Sequence, residues 1–166
     1  SIIAYLGLGD YEKWSEDEKI DFLTKEFKSK RPLIPRDIKL NKEDAEVWET
    51  FQMISKLPRE CLGAYVISMA SSVSDILSVL ILQKEAGIKS YLRIVPLFET
   101  YNDLKNSSAI MENLYSNKWY VNYFNHKQEI MIGYSDSSKD VGKLSASWAQ
   151  YCAQEELQKL SMINTN

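Results

Sequence analysis

The chain has 166 residues, of which 45% are hydrophobic and 26% are charged, a composition typical of one folded domain rather than of a disordered chain. Its 20 basic and 23 acidic residues give a formal net charge of -3, so no basic surface for nucleic acid is indicated. No uncharged apolar run approaches the roughly 20 residues that a membrane-spanning helix needs. We therefore expect a soluble protein that binds neither nucleic acid nor a membrane.

The beginning of the sequence resembles the end of a helix rather than the start of a protein. It opens on Ser1 and an apolar stretch, with neither the features of a secretion signal nor those of a transit peptide. We expect an internal fragment that is not secreted. Cys61 and Cys152 lie far apart without metal-binding spacing, so we predict buried free thiols rather than a zinc site or a disulfide.

Residues 1–58 are predicted to form a helical segment. Ser15 and Glu18 have the spacing of a capping box at the start of one amphipathic helix. Asn41 precedes the apolar pattern of a second helix, which Pro58 ends. These helices precede the first predicted strand.

Residues 59–166 predict three βα units in succession. The predicted strands are 64–69, 91–98 and 129–134. Ser74 is predicted to cap the helix that follows the first strand, and this helix is predicted to end at Gly87. Pro96 is expected to limit the pairing of the second strand. The third strand, around Ile130 to Ile132, is apolar enough to be buried on both faces, and Gly133 loosens the chain before a helix over 141–160.

Successive βα units imply parallel strands with right-handed crossovers, in either an open sheet or a barrel. Three units are at most three of the eight in a (β/α)8 TIM barrel, which typically takes about 250 residues. We therefore predict an α/β fold that is a slice of something larger: a partial barrel of about three units with additional N-terminal helices.

The carboxyl ends of parallel strands are where such folds bind ligands. Glu99 follows the second predicted strand, and Asp136 and Lys139 follow the third. Two carboxylates from neighbouring strands suit Mg²⁺ or Mn²⁺, which prefer oxygen ligands. Lys139 would supply positive charge for an anionic substrate or take part in proton transfer. The hydroxyl side chains expected at the same edge are Ser68, Ser71, Thr100 and Ser137.

Simpler interpretations of these residues remain open. A lone acidic residue after a strand is more often a helix cap or a solvated loop residue than a metal ligand, and Asp140, directly before a predicted helix, is interpreted as such a cap. His126, the only histidine, precedes the third strand and is assigned to the surface away from the site. The four tryptophans are predicted to pack on amphipathic helices.

Several collinear motifs resemble the phosphoenolpyruvate carboxylase family over nearly the whole chain. They are SKRPLIP (29–35), WETFQMISKLP (48–58), GAYVISMA (63–70), SDILSVLILQKEAG (74–87), VPLFET (95–100) and QEIMIGYSDSSKDVGKLSASWAQYCAQEEL (128–157). By this resemblance Glu99 and Asp136 correspond to the metal-binding carboxylates of the family, and Lys139 corresponds to its active-site lysine.

The resemblance implies a cytoplasmic lyase that joins bicarbonate to phosphoenolpyruvate, giving oxaloacetate and phosphate for the tricarboxylic acid cycle or for carbon fixation. It also implies a (β/α)8 barrel, a homotetramer, and Mg²⁺ or Mn²⁺ without biotin. The family's catalytic histidines and arginine loop lie outside the 166 residues, so we expect the isolated chain to be inactive. Two other hypotheses stay open: a non-catalytic α/β structural or regulatory module, and another magnesium-dependent barrel enzyme acting on an enolate.

Overall fold

The computed structural model describes residues 2–35, 37–124 and 127–164. Within these residues the three strands are β1 (Ala64–Ile67), β2 (Arg93–Phe98) and β3 (Met131–Ile132). The α-helices are α1 (Ile2–Tyr5), α2 (Glu16–Lys28), α3 (Lys42–Ile54), α4 (Val73–Glu85), α5 (Tyr101–Ser116), α6 (Lys118–Tyr123), α7 (Ser135–Val141) and α8 (Lys143–Asn164). None of these helices is both long enough and apolar enough to cross a membrane.

The chain divides into two compact units. The first unit contains residues 1–63 and 77–92, and the second contains residues 64–76 and 93–166. The first is helical, whereas the second holds the three strands and the helices that follow β2 and β3. Each unit has its own set of buried apolar side chains.

The first unit begins its two long helices where the sequence predicts. Ser15 caps α2 in a complete capping box, in which the Ser15 amide donates to Glu18 Oε2 over 2.8 Å. Asn41 caps α3, and its Oδ1 accepts from the Asp44 amide over 2.8 Å. These caps satisfy amides that have no carbonyl partner within a helix, which is why both starts could be read from the sequence.

Two polar side chains fasten the chain within the first unit. Glu85, whose side chain is 3% exposed, accepts hydrogen bonds from the amides of Leu33 and Ile34 at Oε2. Gln83 is fully buried, accepts from the Leu92 amide and donates to the Leu92 carbonyl. Buried polar groups destabilise a fold unless they are hydrogen-bonded. The bonds to Glu85 and Gln83 therefore fix the backbone at residues 33–34 and at Leu92.

The helix predicted to start at Ser74 starts slightly earlier and is fastened differently. Ser74 lies inside the first turn of α4, so its assignment as the cap is wrong. Instead, Asp75 Oδ2 accepts from the amides of Ser71 and Ser72 over 3.0 and 2.9 Å. A carboxylate in the first turn is also stabilised by the positive end of the helix dipole.

The second unit contains a parallel sheet with strand order β1-β2-β3. The predicted parallel α/β arrangement is therefore confirmed, although the strands are shorter than expected. Pairing of β2 with β1 ends at Pro96, opposite Ile67, while Leu97 and Phe98 pair with β3. Since proline cannot donate to a ladder, its position limits one pairing without ending the strand.

The sheet has one covered face and one largely open face. Ile94 and Phe98 of β2 are buried, and α5 packs against this strand. On the opposite face Val66 and Met131 are each 44% exposed, and only the central Val95 is buried. Right-handed crossovers between parallel strands in sequential order place their helices on one face. The expectation that the third strand is buried on both faces is therefore wrong within the described residues.

The chain after β3 also differs from the prediction. The segment expected to be a loop is the helix α7, and Gly142, with φ at +79°, separates it from α8. Asp140 lies in the last turn of α7 and does not cap the next helix, so that assignment is wrong. Its Oδ2 lies 3.5 Å from the Tyr101 amide, at the start of α5.

Two expectations about burial are also wrong. Cys61 is exposed and Cys152 is half-buried, although both remain free thiols as predicted. Trp148 is 66% exposed and stacks on the exposed Tyr151, with ring centroids 5.5 Å apart. His126 lies outside the described residues.

Replacing Gly87 by alanine is expected to lower the free energy of unfolding by about 1 kcal/mol, because φ at this position is +75°. A Cβ there meets no atom within 4 Å, so the cost is conformational rather than steric. Denaturant unfolding measures it. Gly63→Ala is the matched control, since Gly63 has equal space and no left-handed φ. Equal destabilisation by both substitutions would contradict this explanation.

Candidate active site

Glu99 is the first residue after β2, at the carboxyl edge of the sheet. Its Oε1 accepts a hydrogen bond from the amide of Met69 over 3.2 Å. Met69 lies two residues beyond the end of β1, so this bond joins the chain after one strand to the chain after its neighbour. The Glu99 carboxylate is thus held by a backbone amide from the segment that follows β1.

Asp136 and Lys139 lie on one side of α7, three residues apart. Lys139 Nζ is 2.8 Å from Asp136 Oδ1, and the two side chains are 75% and 42% exposed respectively. The Asp136 carboxyl also lies within hydrogen-bonding reach of the Glu99 side chain. The three residues selected from the sequence, Glu99, Asp136 and Lys139, therefore lie together, and we call them the candidate site.

The charges of the candidate site perturb one another. The hydrogen bond from Lys139 and then its positive charge hold the pKa of Asp136 below its ordinary value, with a smaller contribution from the contact with Glu99. In turn, the hydrogen bond and charge of Asp136 raise the pKa of Lys139, and Asp140 adds to this effect. Lys139 is therefore a cation at neutral pH, an arrangement that favours charge stabilisation over the proton-transfer role.

The backbone of the candidate site is built around a close approach of two segments. The Gly133 amide donates to the Phe98 carbonyl over 2.9 Å, and the Ser137 amide donates to the Glu99 carbonyl over 2.8 Å. A Cβ on Gly133 would lie 2.7 Å from Glu99 Cβ and 3.2 Å from Glu99 Cα. Gly133 therefore permits tight packing, and the expectation that it merely loosens the chain is wrong. A glycine at a strand end is the signal that points to such an approach.

Three hydroxyl residues expected at this edge have structural roles. Thr100 caps α5 in a reciprocal arrangement with Asp103. Ser71 donates through its amide and its hydroxyl to Asp75. Ser137 is fully buried, and its hydroxyl donates to the Tyr134 carbonyl. Each role satisfies local backbone or side-chain groups, so these residues do not extend the candidate site.

The carboxylates of Glu99 and Asp136 fit Mg²⁺ or Mn²⁺ better than a structural zinc ion. Among the described residues, no group of three or more His, Cys, Asp or Glu side chains is placed to hold an ion, so Glu99 and Asp136 act as a pair. A structural zinc site would take four protein ligands. Mg²⁺ instead keeps several waters and commonly binds through one or two carboxylates together with substrate oxygens. A pair of partly exposed carboxylates therefore suits Mg²⁺ or the similar Mn²⁺.

Gly133→Ala is expected to lower the free energy of unfolding by about 1 to 3 kcal/mol, because the new methyl would overlap Glu99. The measurement is denaturant unfolding of the 166-residue chain. Gly63→Ala adds the same methyl in open space and is expected to change stability little. A Gly133→Ala chain as stable as this control would show that the close approach does not constrain the fold.

Lys139→Gln is expected to raise the pKa of Asp136 towards its ordinary value, since the hydrogen bond and charge that lower it are removed. The stabilisation from this pair is present above the unfolded carboxyl pKa and is lost as pH falls through the lower folded one. NMR titration of the Asp136 carboxyl carbon measures the pKa of Asp136 in the original chain and in the Lys139→Gln chain. Lys159→Gln, which breaks the Glu155 pair instead, is the control, and an unchanged Asp136 pKa in Lys139→Gln would contradict the assignment.

Comparison with known proteins identifies the family of the chain. The family model for phosphoenolpyruvate carboxylase matches residues 1–164. Phosphoenolpyruvate carboxylase 1 of Sorghum bicolor is 50% identical over 161 residues, which is 97% of this chain and 17% of the relative. The phosphoenolpyruvate carboxylase of Edwardsiella ictaluri is 53% identical over 156 residues, which is 94% of this chain and 18% of the relative. The chain thus spans less than a fifth of the length of these relatives, and it belongs to the phosphoenolpyruvate carboxylase family.

Proposed function

We propose that this chain supplies part of the active site of a phosphoenolpyruvate carboxylase, which joins bicarbonate to phosphoenolpyruvate to give oxaloacetate and phosphate. The observation that carries the proposal is the meeting of Glu99, Asp136 and Lys139 after two neighbouring strands. The names of the similar proteins support it. The product would replenish the tricarboxylic acid cycle or serve carbon fixation.

Glu99 and Asp136 would hold Mg²⁺ or Mn²⁺ through their carboxylate oxygens. When bound, such a cation supplies Lewis-acid stabilisation of negative charge on phosphate and on a developing enolate oxygen. No biotin is required in this chemistry. Asp136 is suited to this role because its lowered pKa keeps it ionised.

The reaction would proceed by phosphoryl transfer followed by carboxylation. A bicarbonate oxygen attacks the phosphorus atom of phosphoenolpyruvate, and the bond from phosphorus to the enol oxygen breaks, which gives carboxyphosphate and the pyruvate enolate. Carboxyphosphate then releases phosphate and carbon dioxide, and the enolate carbon captures the carbon dioxide. The protonated Lys139 would stabilise the negative charge of the phosphoryl group beside Asp136.

The proposed architecture is a segment of a (β/α)8 barrel. Sequential strand order with parallel pairing is what a singly wound barrel requires. The exposed Val66 and Met131 on the open face of the sheet would then point into the barrel interior, where side chains from further strands cover them. A homotetramer in the cytoplasm is the assembly and location that we propose for the whole enzyme.

A non-catalytic α/β module is the second candidate. It is favoured by the exposure of Lys139 and by its pairing with Asp136 on the same helix, because exposed pairs of this kind also occur on surfaces without function. The two candidates differ in their dependence on Glu99 and Asp136. Removing these carboxylates affects metal-dependent catalysis only if the first candidate is correct.

A chimera tests the proposed activity. The segment of the Edwardsiella ictaluri enzyme that matches this chain is replaced by this chain, and bicarbonate-dependent oxaloacetate formation is followed with Mn²⁺. We expect activity in the chimera, and a loss of more than about 100-fold when Glu99→Ala and Asp136→Ala are introduced together. The 166-residue chain alone is expected to form no product.

Glu155→Ala with Glu156→Ala removes two exposed carboxylates from α8 and serves as the charge-matched control. This control is expected to retain the activity and the Mn²⁺ dependence of the chimera. Mn²⁺ dependence that survives loss of Glu99 and Asp136 would overturn the metal assignment. A folded chimera that forms no oxaloacetate would favour the non-catalytic module, and a different product would favour another magnesium-dependent enzyme acting on an enolate.

A further inference from the structure

Met69 has an unusual backbone conformation at the edge of the candidate site. Its φ is +52°, and among the described residues it is the one residue other than glycine with a positive φ. Left-handed backbone is uncommon for residues with a Cβ and is concentrated at functional positions. Nothing in the sequence signals this conformation, because methionine has no preference for it.

The side chain of Met69 does not explain why the conformation is kept. It is 69% exposed, so packing in the core does not hold it. The backbone on either side is fixed, since Ile67 is paired with Pro96 and Ala70 is buried. The turn between these two fixed points directs the Met69 amide towards Glu99 Oε1, over a sequence separation of 30 residues.

Glu99 is thereby held at two places. Gly133 packs against its Cβ, and the Met69 amide binds one of its carboxylate oxygens. A hydrogen bond to one oxygen of a ligating carboxylate restricts its rotation and orients the group for a cation. Asp136 lies within reach of the same carboxyl group, so a cation shared by the two residues would require that orientation of Glu99.

We propose that Met69 is a positioning residue whose left-handed backbone, rather than its side chain, orients Glu99 for the divalent cation. This inference rests on the metal role that the proposed function gives to Glu99. It extends that role to a residue that does not itself contact the cation.

Two substitutions at Met69 separate the backbone from the side chain. Met69→Gly removes the side chain but tolerates positive φ, so Mn²⁺ affinity is expected to stay within about twofold of the original. Met69→Val also removes the methionine side chain, but β-branched residues strongly resist positive φ, and Mn²⁺ affinity is expected to fall about tenfold. Titration of the 166-residue chain with Mn²⁺, followed by paramagnetic broadening of amide resonances near Glu99, gives the affinities.

Further variants make the result independent of folding defects. Met69→Asn, which accepts left-handed backbone better than most residues, is expected to retain the affinity of the original chain. Met69→Ala is expected to weaken it severalfold, and this variant replaces Met69→Val if circular dichroism shows that the valine chain is unfolded. Equal affinity in the glycine and in the folded valine or alanine chains would overturn the inference.

Glu99→Ala with Asp136→Ala separates this inference from the proposed function. Loss of Mn²⁺ binding in that double variant, together with unchanged binding in Met69→Val, would overturn only the role of Met69. Unchanged binding in the double variant, or no broadening near Glu99 in the unsubstituted chain, would overturn the metal assignment and the inference with it.

Discussion

The candidate site depends on the close packing of Gly133 against Glu99. Without a side chain at residue 133, the chain leaving β3 comes near enough for its amide to bind the Phe98 carbonyl. The Ser137 amide then binds the Glu99 carbonyl, which fixes the first turn of α7 against the end of β2. Because Asp136 and Lys139 lie on that helix, the backbone contact determines where both charges lie. A carboxylate on one strand end and a charged pair after the next are thus brought together by main-chain atoms.

Several features of this edge reduce stability or contribute little to it. Exposed ion pairs such as Asp136 with Lys139 typically contribute little to stability, because solvent screens both charges. A non-glycine residue in left-handed backbone, such as Met69, costs on the order of 1 to 3 kcal/mol. Local arrangements that disfavour folding persist where the surrounding structure enforces them, and they concentrate at functional sites. Met69, whose amide binds Glu99, is such an arrangement.

The sequence predicted features whose causes are local, and it failed where distant contacts decide. The start of α2 is predictable from the hydrogen bonds between Ser15 and Glu18. The end of α4 is predictable from the preference of Gly87 for left-handed backbone. The meeting of strand ends was also predictable, since it follows from parallel topology. By contrast, the serine-rich start of α7 has weak helix propensity, and its helix is anchored by a bond to Glu99 from another segment. The exposure of Met131 likewise depends on which elements cover the sheet, and an apolar run does not reveal this.

The electrostatic balance of the site gives a physical reason for a cation. In the described part of this edge, Lys139 interacts with the carboxylates of Asp136 and Asp140, and Glu99 in turn interacts with Asp136. Negative charge is therefore in excess, and Lys139 is already engaged with Asp136 at 2.8 Å. An anionic substrate such as phosphoenolpyruvate would be repelled by this arrangement alone. A divalent cation held by Glu99 and Asp136 would offset this negative charge, and Lys139 would then add positive charge for the phosphoryl group. On the proposed function, the same carboxylates that would bind the metal would also make phosphoenolpyruvate binding depend on it.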